Sequence, residues 1–296
     1  MPESHHSVPC LLCKENDAQV VSRGSGAAQV VQCRKDGLLY LNPRPANICL
    51  RELHRNFVRN DNVQLFDGYR RAMLQREASI IKQMKSGGSL LDIGCATGTF
   101  FHGFKGAEWR LSGVDTSKLA VEKARTEYGA AVFCGTLHEA GYPSRFFDVV
   151  TMLDTLYYLP DPAAELREIH RILKDDGVLA IEIPGLTYTL AREQGPLCWL
   201  LDRKWRRGLA NSFHLYYFSP KTIRLLLSMA GFILLQMFPE QASFRGGIID
   251  RALNEIHFRL ARLVHWASAR KVSIAGKEFY LAAKVSSPAP KPFLSS

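Results

Sequence analysis

The sequence predicts an α/β protein built on a seven-stranded, mainly parallel sheet, and two observations support this fold class. First, residues 89–93 form a short apolar run, typical of a buried parallel strand, which leads through a turn with two glycines into the helical pattern of residues 100–105. Second, apolar runs alternate with amphipathic segments from that point to residue 285. Because this alternation is typical of strand–helix–strand units, we expect helices on both faces of the sheet.

Each further element follows from the spacing of its apolar residues and from the turn residues that bound it. Strands are expected at residues 109–115, 146–154, 178–184, 231–238 and 278–285, and residues 131–137 are expected to form a further strand together with its exit. Helices are expected at residues 117–128, 165–174, 221–230 and 248–270. One short and one longer amphipathic helix are expected between residues 47 and 85, and Gly87-Gly88 ends the longer one directly before the first strand of the sheet.

Composition limits the kinds of protein this chain can be. Of its 296 residues, 47% are apolar and 22% are charged, as in globular proteins that bury a sizeable core. No apolar run approaches the ~18 residues of a membrane span, and the N-terminus lacks the pattern of a secretion signal. The seven cysteines are odd in number and scattered along the chain, which indicates reduced thiols rather than disulfides. We therefore expect a cytoplasmic protein. The formal charge of +10 favours an anionic partner such as nucleic acid, lipid headgroups or a phosphorylated substrate; a merely basic surface is the alternative.

The turn after the first strand, Asp92-Ile93-Gly94-Cys95-Ala96-Thr97-Gly98, differs from the Gly-x-Gly-x-x-Gly turn of dinucleotide sites. It is similar instead to the first motif of class I S-adenosylmethionine (SAM)-dependent methyltransferases, with Ala96 in place of the more usual glycine, a change that adds little volume. The resemblance implies a Rossmann-like methyltransferase fold with SAM as its cofactor. It also implies that the cofactor lies against this turn, at Asp92, Gly94, Cys95, Ala96 and Gly98.

An acid ends the predicted second strand: Asp115, which stands 23 residues after Asp92. An acid at this place can accept hydrogen bonds from both hydroxyls of a ribose, as in dinucleotide folds. The resemblance makes Asp115, followed by Thr116, the ribose-binding position. The other cofactor contacts that it implies are Thr136 and Leu137, after the third strand and along the adenine, and Leu153, at the end of the fourth strand.

Residues 146–162 resemble the family's segment Phe-Asp-Val-Val…Asp-x-Leu-Glu-His-Leu-x-Asp-Pro, with one clear difference. The Glu-His pair of that segment is Tyr157-Tyr158 here, so no acid–base role carries over to it. We expect Tyr157 and Tyr158 to line the acceptor pocket and to orient the acceptor. Ordinary aromatic core is the alternative.

Residues 211–220 resemble a segment of the same methyltransferases in which His-Leu-x-x-Phe-Ser leads into a helix. A histidine on a loop over a cofactor pocket can accept a proton near neutral pH. We therefore expect His214 to be the catalytic base or to orient the acceptor, and a structural hydrogen-bonding histidine is the alternative. Asp154 is a second candidate base, and Tyr216 and Tyr217 are further candidates for orienting the acceptor.

Two short knuckles near the N-terminus carry metal-ligand side chains. They are Cys10-x-x-Cys13 and Cys33-x-x-Asp36, with 19 residues between them. Zinc accepts thiolate and carboxylate ligands, so these four side chains predict a structural zinc site; a ribbon without metal, or a ligand from His5 or His6, is the alternative. With the strand and proline-rich segment that follow, they resemble the small zinc-binding module ahead of some SAM methyltransferases, including sugar- and polysaccharide-associated ones.

These features divide the chain into four predicted segments. Residues 1–45 form the zinc-ribbon-like module, residues 46–87 a helical linker that covers the cofactor, residues 88–286 the methyltransferase domain, and residues 287–296 a disordered tail. Within the domain, residues 185–218 are an inserted lid and residues 248–270 an amphipathic helix, both rich in basic side chains. An anionic or membrane surface is one partner for these basic segments, and a solvated basic face is the alternative.

The sequence thus predicts methyl transfer from SAM to a small-molecule or sugar acceptor, or to a glycan- or lipid-linked one. RNA methylation is one alternative, which the charge and the zinc module suggest and the absence of an Asn-Pro-Pro-Tyr-type motif from the sequence argues against. A SAM-binding scaffold without activity is the other, which the Tyr157-Tyr158 replacement keeps open. The acceptor atom and the oligomeric state are not predicted.

Overall fold

The computed structural model describes residues 5–24, 27–45, 63–194, 209–211, 214–242 and 248–285. Several predictions fall outside these residues, namely the shorter helix after residue 47, the basic part of the lid and the tail after residue 286. No helix in the described ranges is both long and apolar enough to cross a membrane.

The secondary structure alternates along most of the described chain. The strands are β1 (His5–His6), β2 (Ala18–Arg23), β3 (Gln29–Cys33), β4 (Leu39–Leu41), β5 (Arg44–Pro45), β6 (Gly88–Ile93), β7 (Trp109–Asp115), β8 (Ala131–Cys134), β9 (Phe147–Leu153), β10 (Leu173–Pro184), β11 (Tyr216–Tyr217), β12 (Phe232–Glu240) and β13 (Lys277–Lys284). The α-helices are α1 (Val63–Met84), α2 (Lys118–Tyr128), α3 (Leu137–Ala140), α4 (Pro162–Ile172), α5 (Leu186–Gln194), α6 (Pro220–Met229) and α7 (Ile248–Ala267). Short 3-10 helices lie at Thr99–Phe104, Leu156–Tyr158 and Leu209–Asn211.

The larger sheet has seven strands in the order β12-β13-β10-β9-β6-β7-β8. The five strands from β10 to β8 run parallel to one another, and β13 runs antiparallel to both β10 and β12. The predicted fold class is therefore confirmed. Because the chain order reverses between β6 and β9, the edge where these two strands end is the switch point at which open α/β sheets bind ligands.

Two elements differ from the expected pattern. The helical segment after the glycine turn is a 3-10 helix whose phenylalanines, Phe100, Phe101 and Phe104, are buried. The strand predicted at residues 178–184 begins already at Leu173, directly where α4 ends, and its register with β9 shifts between Leu173 and Val178. The acidic turn after α4 is thus an irregularity within a long strand.

A smaller sheet joins the N-terminal residues to the part of the chain that forms the large sheet. Its strand order is β11-β4-β3-β2. The edge strand β11 comes from the segment just after His214, whereas the other three strands come from the N-terminal residues. Tyr216 pairs with Tyr40, and Leu41 N donates a hydrogen bond to Leu215 O at 2.9 Å. Buried side chains from both parts belong to one hydrophobic cluster, so residues 5–45 share a core with one face of the large sheet.

Candidate active site

Three residues with left-handed backbone shape the turn between β6 and the 3-10 helix that follows it. Gly94 has φ 73°, Ala96 φ 47° and Gly98 φ 77°. Glycine adopts such angles freely, whereas a β-carbon makes them unfavourable. At Gly94 a β-carbon would also stand 2.3 Å from Thr155 Oγ1. The turn is therefore pressed against the segment that leaves β9, at the switch point of the sheet.

Ala96 is the strained residue of this turn. Judged by volume alone, alanine is a mild replacement for glycine, but its left-handed φ of 47° shows that the cost lies in the backbone. For a residue with a β-carbon that conformation costs about 1–2 kcal/mol. The amide of Ala96 donates a hydrogen bond to Asp115 Oδ2 at 2.9 Å, which helps to hold the alanine in this conformation.

Asp115 is buried at the end of β7 and faces the turn. Its Oδ2 accepts the hydrogen bond from Ala96 N, and its Oδ1 accepts one from Ser117 N at 2.8 Å. A carboxylate offers about four lone-pair sites and can accept several hydrogen bonds at once. This geometry suits the two hydroxyls of a ribose, the partner predicted for Asp115, and Thr116 lies on the same short loop.

Asp92 and Cys95 support the turn from the protein interior. Burial raises the pKa of Asp92 to about 7, although Thr151 Oγ1 donates a hydrogen bond to its Oδ1 at 2.7 Å and acts in the opposite direction. The Cys95 side chain packs toward β7, where a β-carbon on Gly113 would stand 2.7 Å from Cys95 Sγ. A cofactor in the turn would therefore meet Cys95 through its backbone.

The residues predicted beside the adenine begin α3. Thr136 is the N-cap of this helix: its Oγ1 accepts a hydrogen bond from Glu139 N at 3.3 Å, and Glu139 Oε2 accepts one from Thr136 N at 2.7 Å. The side chain of Leu137 is buried in the core, and Leu153 is buried at the end of β9. Of Thr136 and Leu137, only Thr136 can therefore offer its side chain to an adenine, and Leu137 can offer only backbone atoms.

His214 stands in a cluster of tyrosines on the acceptor side of the switch point. Its ring centroid lies 4.5 Å from that of Tyr157, 5.2 Å from Tyr158 and 5.4 Å from Tyr217. A cavity of about 10 Å³, room for about one water, opens between His214, Tyr157 and residues of β10, α5 and β11. The structure therefore brings together His214, Tyr157 and Tyr158, the three residues predicted to be catalytic.

The rings of this cluster are uncharged at neutral pH. Burial lowers the pKa of His214 to about 4, while the nearby Asp154 carboxylate acts in the opposite direction. Tyr157 Oη donates a hydrogen bond to Asp154 Oδ1 at 3.0 Å, and burial together with this carboxylate raises the pKa of Tyr157 well above its usual value. A neutral imidazole can accept a proton, whereas the Tyr157 hydroxyl is already engaged.

Asp154, the second candidate base, lies between two cations. Its Oδ2 forms an ion pair with Lys277 Nζ and lies 3.1 Å from Arg70 Nη2. Burial alone would raise the pKa of Asp154, but Lys277 and Arg70 hold it well below its usual range. Because two cations and the Tyr157 hydroxyl already occupy its oxygen atoms, Asp154 suits the anchoring of Tyr157 better than proton acceptance.

Sequence reasoning missed two charged residues beneath this cluster, Lys277 and Glu182. Lys277 Nζ lies 2.6 Å from Glu182 Oε1, and Arg70 Nη2 lies 3.6 Å from the same oxygen. Glu182 is fully buried in β10, and Lys277 begins β13 at the same edge of the sheet. The sequence did contain a signal for these two residues, because each is a charged residue in or next to an apolar strand pattern. Buried acids and lysines are rare unless they are paired.

The N-terminal knuckles converge on one point. Cys10 Sγ, Cys13 Sγ, Cys33 Sγ and a carboxylate oxygen of Asp36 all lie within 4.8 Å of one another. Cys13 Sγ is 3.5 Å from Cys33 Sγ, and Cys10 Sγ is 3.1 Å from Asp36 Oδ2. A tetrahedral zinc with Zn–S bonds of about 2.3 Å needs sulfur atoms about 3.8 Å apart, so this donor set fits the ion.

A parallel sheet with a glycine turn and a strand-end acid at its switch point defines a protein that binds a nucleoside-bearing cofactor. The family described as "Methyltransferase domain" matches residues 62–237, more than half of the chain, and the chain belongs to this family.

Relatives and solved structures agree with this assignment. The "Probable methyltransferase ltbC" of Aspergillus luteorubrus is 30% identical over 145 residues, which cover 43% of this chain and 49% of that protein. The "Ubiquinone biosynthesis O-methyltransferase" of Thiobacillus denitrificans is 32% identical over 99 residues, covering 31% of this chain and 42% of that protein. The chain thus spans about half the length, or less, of these curated relatives. A SAM-dependent methyltransferase of Thermotoga maritima superposes with a TM-score of 0.53 at 21% identity, covering 80% of this chain and 100% of that one, which shows the shared fold.

Proposed function

We propose that the protein transfers a methyl group from SAM to an acceptor. The observation that carries this proposal is the hydrogen bond between Asp115 Oδ2 and the amide of the left-handed Ala96, at the switch point of a methyltransferase-type sheet. The donor set fits the cofactor, because a buried carboxylate suits ribose hydroxyls and a turn with Gly94 and Gly98 lets the backbone approach a ligand closely. Cys95 and Ala96 would contribute backbone atoms, with Asp92 beneath them.

The chain's own residues must position the acceptor and take up its proton. When bound, SAM supplies a methyl group that its sulfonium makes electrophilic. We assign proton acceptance to the neutral imidazole of His214, and acceptor orientation to Tyr158 and Tyr217, which lie beside it. Tyr157 packs against the His214 ring and is held in turn by Asp154, which orients the cluster.

The acceptor that we propose is a small molecule or a sugar, or a glycan- or lipid-linked compound. The aromatic rings around His214 support this, because such rings pack well against the flat or ring-shaped groups of these acceptors. The relative named for O-methylation in ubiquinone biosynthesis supports transfer to oxygen. Transfer to a hydroxyl releases a proton, the step for which His214 is placed.

We further infer that Cys10, Cys13, Cys33 and Asp36 hold a structural zinc ion. Asp36 Oδ1 accepts a hydrogen bond from Leu38 N at 2.8 Å, which turns Oδ2 toward the sulfur atoms. Such a bond is typical of ligating carboxylates, which are oriented by a second partner. Four protein ligands leave no open position, so this ion would act on folding rather than on chemistry.

The zinc site lies at the start of a chain of contacts that ends at His214. The strand that follows Asp36 is β4, and Leu41 N at its end donates to Leu215 O at 2.9 Å. Leu215 N donates in turn to Tyr157 O at 3.0 Å. Leu215 is the neighbour of His214, so we infer that the zinc module supports the residues around His214 that would hold the acceptor. The turn at residues 94–98, where we expect SAM, takes no part in this chain of contacts.

Calorimetric titration with SAM tests the assignment. Replacement of Asp115 by alanine removes the acceptor of the ribose hydroxyls, and each charge-assisted hydrogen bond contributes about 1.5–3 kcal/mol, so we expect SAM affinity to fall by ~10²-fold or more. Asp176→Ala is the matched control, because it removes an acid whose side chain is 76% exposed. Absence of SAM binding by the wild type, or equal affinity in Asp115→Ala, would overturn the proposal.

Methyl-labelled SAM then identifies the acceptor class. The protein is incubated with phenols, free sugars, lipid-linked sugars and RNA, and label transfer is measured for the wild type and His214→Ala. Transfer to RNA alone would replace the proposed acceptor by the RNA alternative. Tight SAM binding without transfer to any member of the panel would favour a scaffold.

A further inference from the structure

Helix α7 carries a second apolar side that faces away from the protein. Its inner side is buried through Asn254, Phe258, Ala261 and His265. Its outer side carries five large apolar residues at intervals of three or four positions, which places them along one stripe of a helix. We name this the α7 stripe, and it consists of Leu253 (54% exposed), Ile256 (63%), Leu260 (49%), Leu263 (57%) and Trp266 (76%).

An exposed leucine by itself needs no explanation, because much of any protein surface is apolar. A row of five along a single helix is different, since contiguous apolar patches mark surfaces that contact another phase or another molecule. The inner side of α7 already provides the packing that the helix needs for folding. Within the described residues, the fold thus accounts for the inner side of α7 and leaves the α7 stripe exposed.

Cationic side chains border the α7 stripe and follow it. Between residues 252 and 272, the exposed side chains of Arg259, Arg262, Arg270 and Lys271 stand against a single acid, Glu255. Arg259 Nε lies 2.9 Å from Glu255 Oε1, which leaves three cations in excess. The whole chain carries a formal charge of +10, which adds attraction toward any anionic surface.

We propose that α7 docks the protein on an anionic membrane surface, with the helix lying in the plane of the interface. The α7 stripe inserts its leucines and isoleucine at the boundary between headgroups and acyl chains, while the arginines contact lipid phosphates. Trp266, the most exposed of the five, is of the residue type that favours this boundary. The proposal concerns attachment and stands apart from the methyl-transfer chemistry.

A second copy of the chain fits the α7 stripe less well. A two-fold contact would bring the same basic surface of both copies together, so the excess positive charge of one copy would face that of the other. From residue 248 to residue 272 the sequence has two acids, Asp250 and Glu255, against five arginines and lysines, so too few acids are available to oppose the cations. Like charges across an interface are unfavourable, whereas lipid phosphates supply the missing negative charge.

The proposed surface lies one helix away from the acceptor cavity. The ring of His257 on α7 is 4.9 Å from the ring of Tyr188 on α5. On the same short helix α5, Leu186 and Thr189 line the cavity beside His214. A protein attached through α7 would therefore hold this cavity near the lipid surface.

Vesicle flotation tests the proposal directly. The full chain is mixed with vesicles of phosphatidylcholine alone or of phosphatidylcholine with phosphatidylserine, at low and at high salt. We expect binding to the anionic vesicles that weakens at high salt, because salt screens the attraction. Leu263→Glu removes apolar contact from the α7 stripe and should lower the partition coefficient by about tenfold or more. Arg262→Gln should lower it by about fivefold.

Leu119→Glu is the matched control, since Leu119 is 65% exposed on α2 and lies outside the α7 stripe. SAM affinity and the unfolding transition of each variant show that the fold is intact. Three results would each overturn the proposal: no binding of the wild type to anionic vesicles, an equal loss in Leu119→Glu, or equal binding to neutral vesicles. A wild-type dimer in sedimentation that Leu263→Glu converts to a monomer, without vesicle binding, would assign the α7 stripe to a second copy instead.

Discussion

Replacement of Lys277 by methionine removes the cation that joins Asp154 and Glu182. Glu182 is fully buried, and its remaining cationic neighbour is Arg70, whose Nη2 lies 3.6 Å from Glu182 Oε1. Loss of one partner from a buried ion pair costs about 3–5 kcal/mol, because the other charge stays buried without compensation. Since Arg70 still faces both acids, we expect the low end of this range, a loss of about 3 kcal/mol in the free energy of unfolding at neutral pH.

Urea unfolding followed by circular dichroism measures this loss, with Lys85→Met as the matched control. Lys85 Nζ pairs with Asp176 Oδ2 at 2.6 Å, but the Asp176 side chain is 76% exposed. Exposed ion pairs contribute about 0.2–1 kcal/mol, so the control should lose far less. If Lys277→Met costs no more than Lys85→Met, the reasoning about buried charge is refuted.

The pH dependence of the same variant provides an internal check. The folded-state pKa of Asp154 is lowered, so its stabilising contribution is present above the usual Asp pKa of about 3.9 and is lost as pH falls through the folded-state value. In Lys277→Met the pKa of Asp154 rises because Lys277 no longer faces it, and protonation of this carboxyl relieves the uncompensated charge. The gap between wild type and variant should therefore be smaller at about pH 5 than at about pH 7. A gap that does not change with pH would point to lost packing of the lysine stem.

Three further predictions concern His214, Asp36 and Ala96. His214→Ala should lower turnover by ~10²-fold or more and leave SAM affinity unchanged. Because the pKa of His214 is lowered to about 4, the wild-type rate should show no His214-dependent limb near the usual pKa of about 6.5; a limb there that the variant removes would contradict the assignment. Asp36→Ala should reduce the amount of bound zinc, measured by elemental analysis, and should slow methyl transfer more than it weakens SAM binding. Asp17→Ala, which removes an exposed acid of the same module, should have neither effect. Ala96→Gly relieves a left-handed alanine and should raise the free energy of unfolding by up to about 1 kcal/mol in thermal melts; a clear loss of stability would argue against the strain.

The local geometry on which the predicted cofactor site rests was predictable, because it lies in short stretches of chain. Residues 92–98 form one turn, and Asp115 ends the strand next to it, so their proximity follows from a single parallel pairing, β6 with β7. The predicted metal ligands follow the same logic, since each knuckle brings two of these side chains close through local geometry. The prediction for Ala96 was incomplete. The small difference in side-chain volume between alanine and glycine does not indicate that the backbone at this position is left-handed.

The acceptor side was less predictable, because its contacts join distant parts of the chain. Lys277 and Asp154 are 123 residues apart, and Lys277 and Glu182 are 95 apart. They meet because β13 lies beside β10 and runs antiparallel to it, with Lys277 opposite Pro184. The pairing of β11 with β4, which links the N-terminal module to the segment after His214, likewise joins residues that are far apart in the sequence.

By itself the sequence determined the fold class, the turn after the first strand of the large sheet and the acid at the end of the next strand, because periodicity and short-range spacing specify strands, turns and the residues inside them. Only the tertiary structure decided which charges face Asp154, how the N-terminal sheet reaches His214, and which side of α7 is covered. Periodicity shows that a helix has apolar faces, but the strand order and packing of the whole chain decide which of them another part of the protein covers, and on α7 they leave the stripe from Leu253 to Trp266 open.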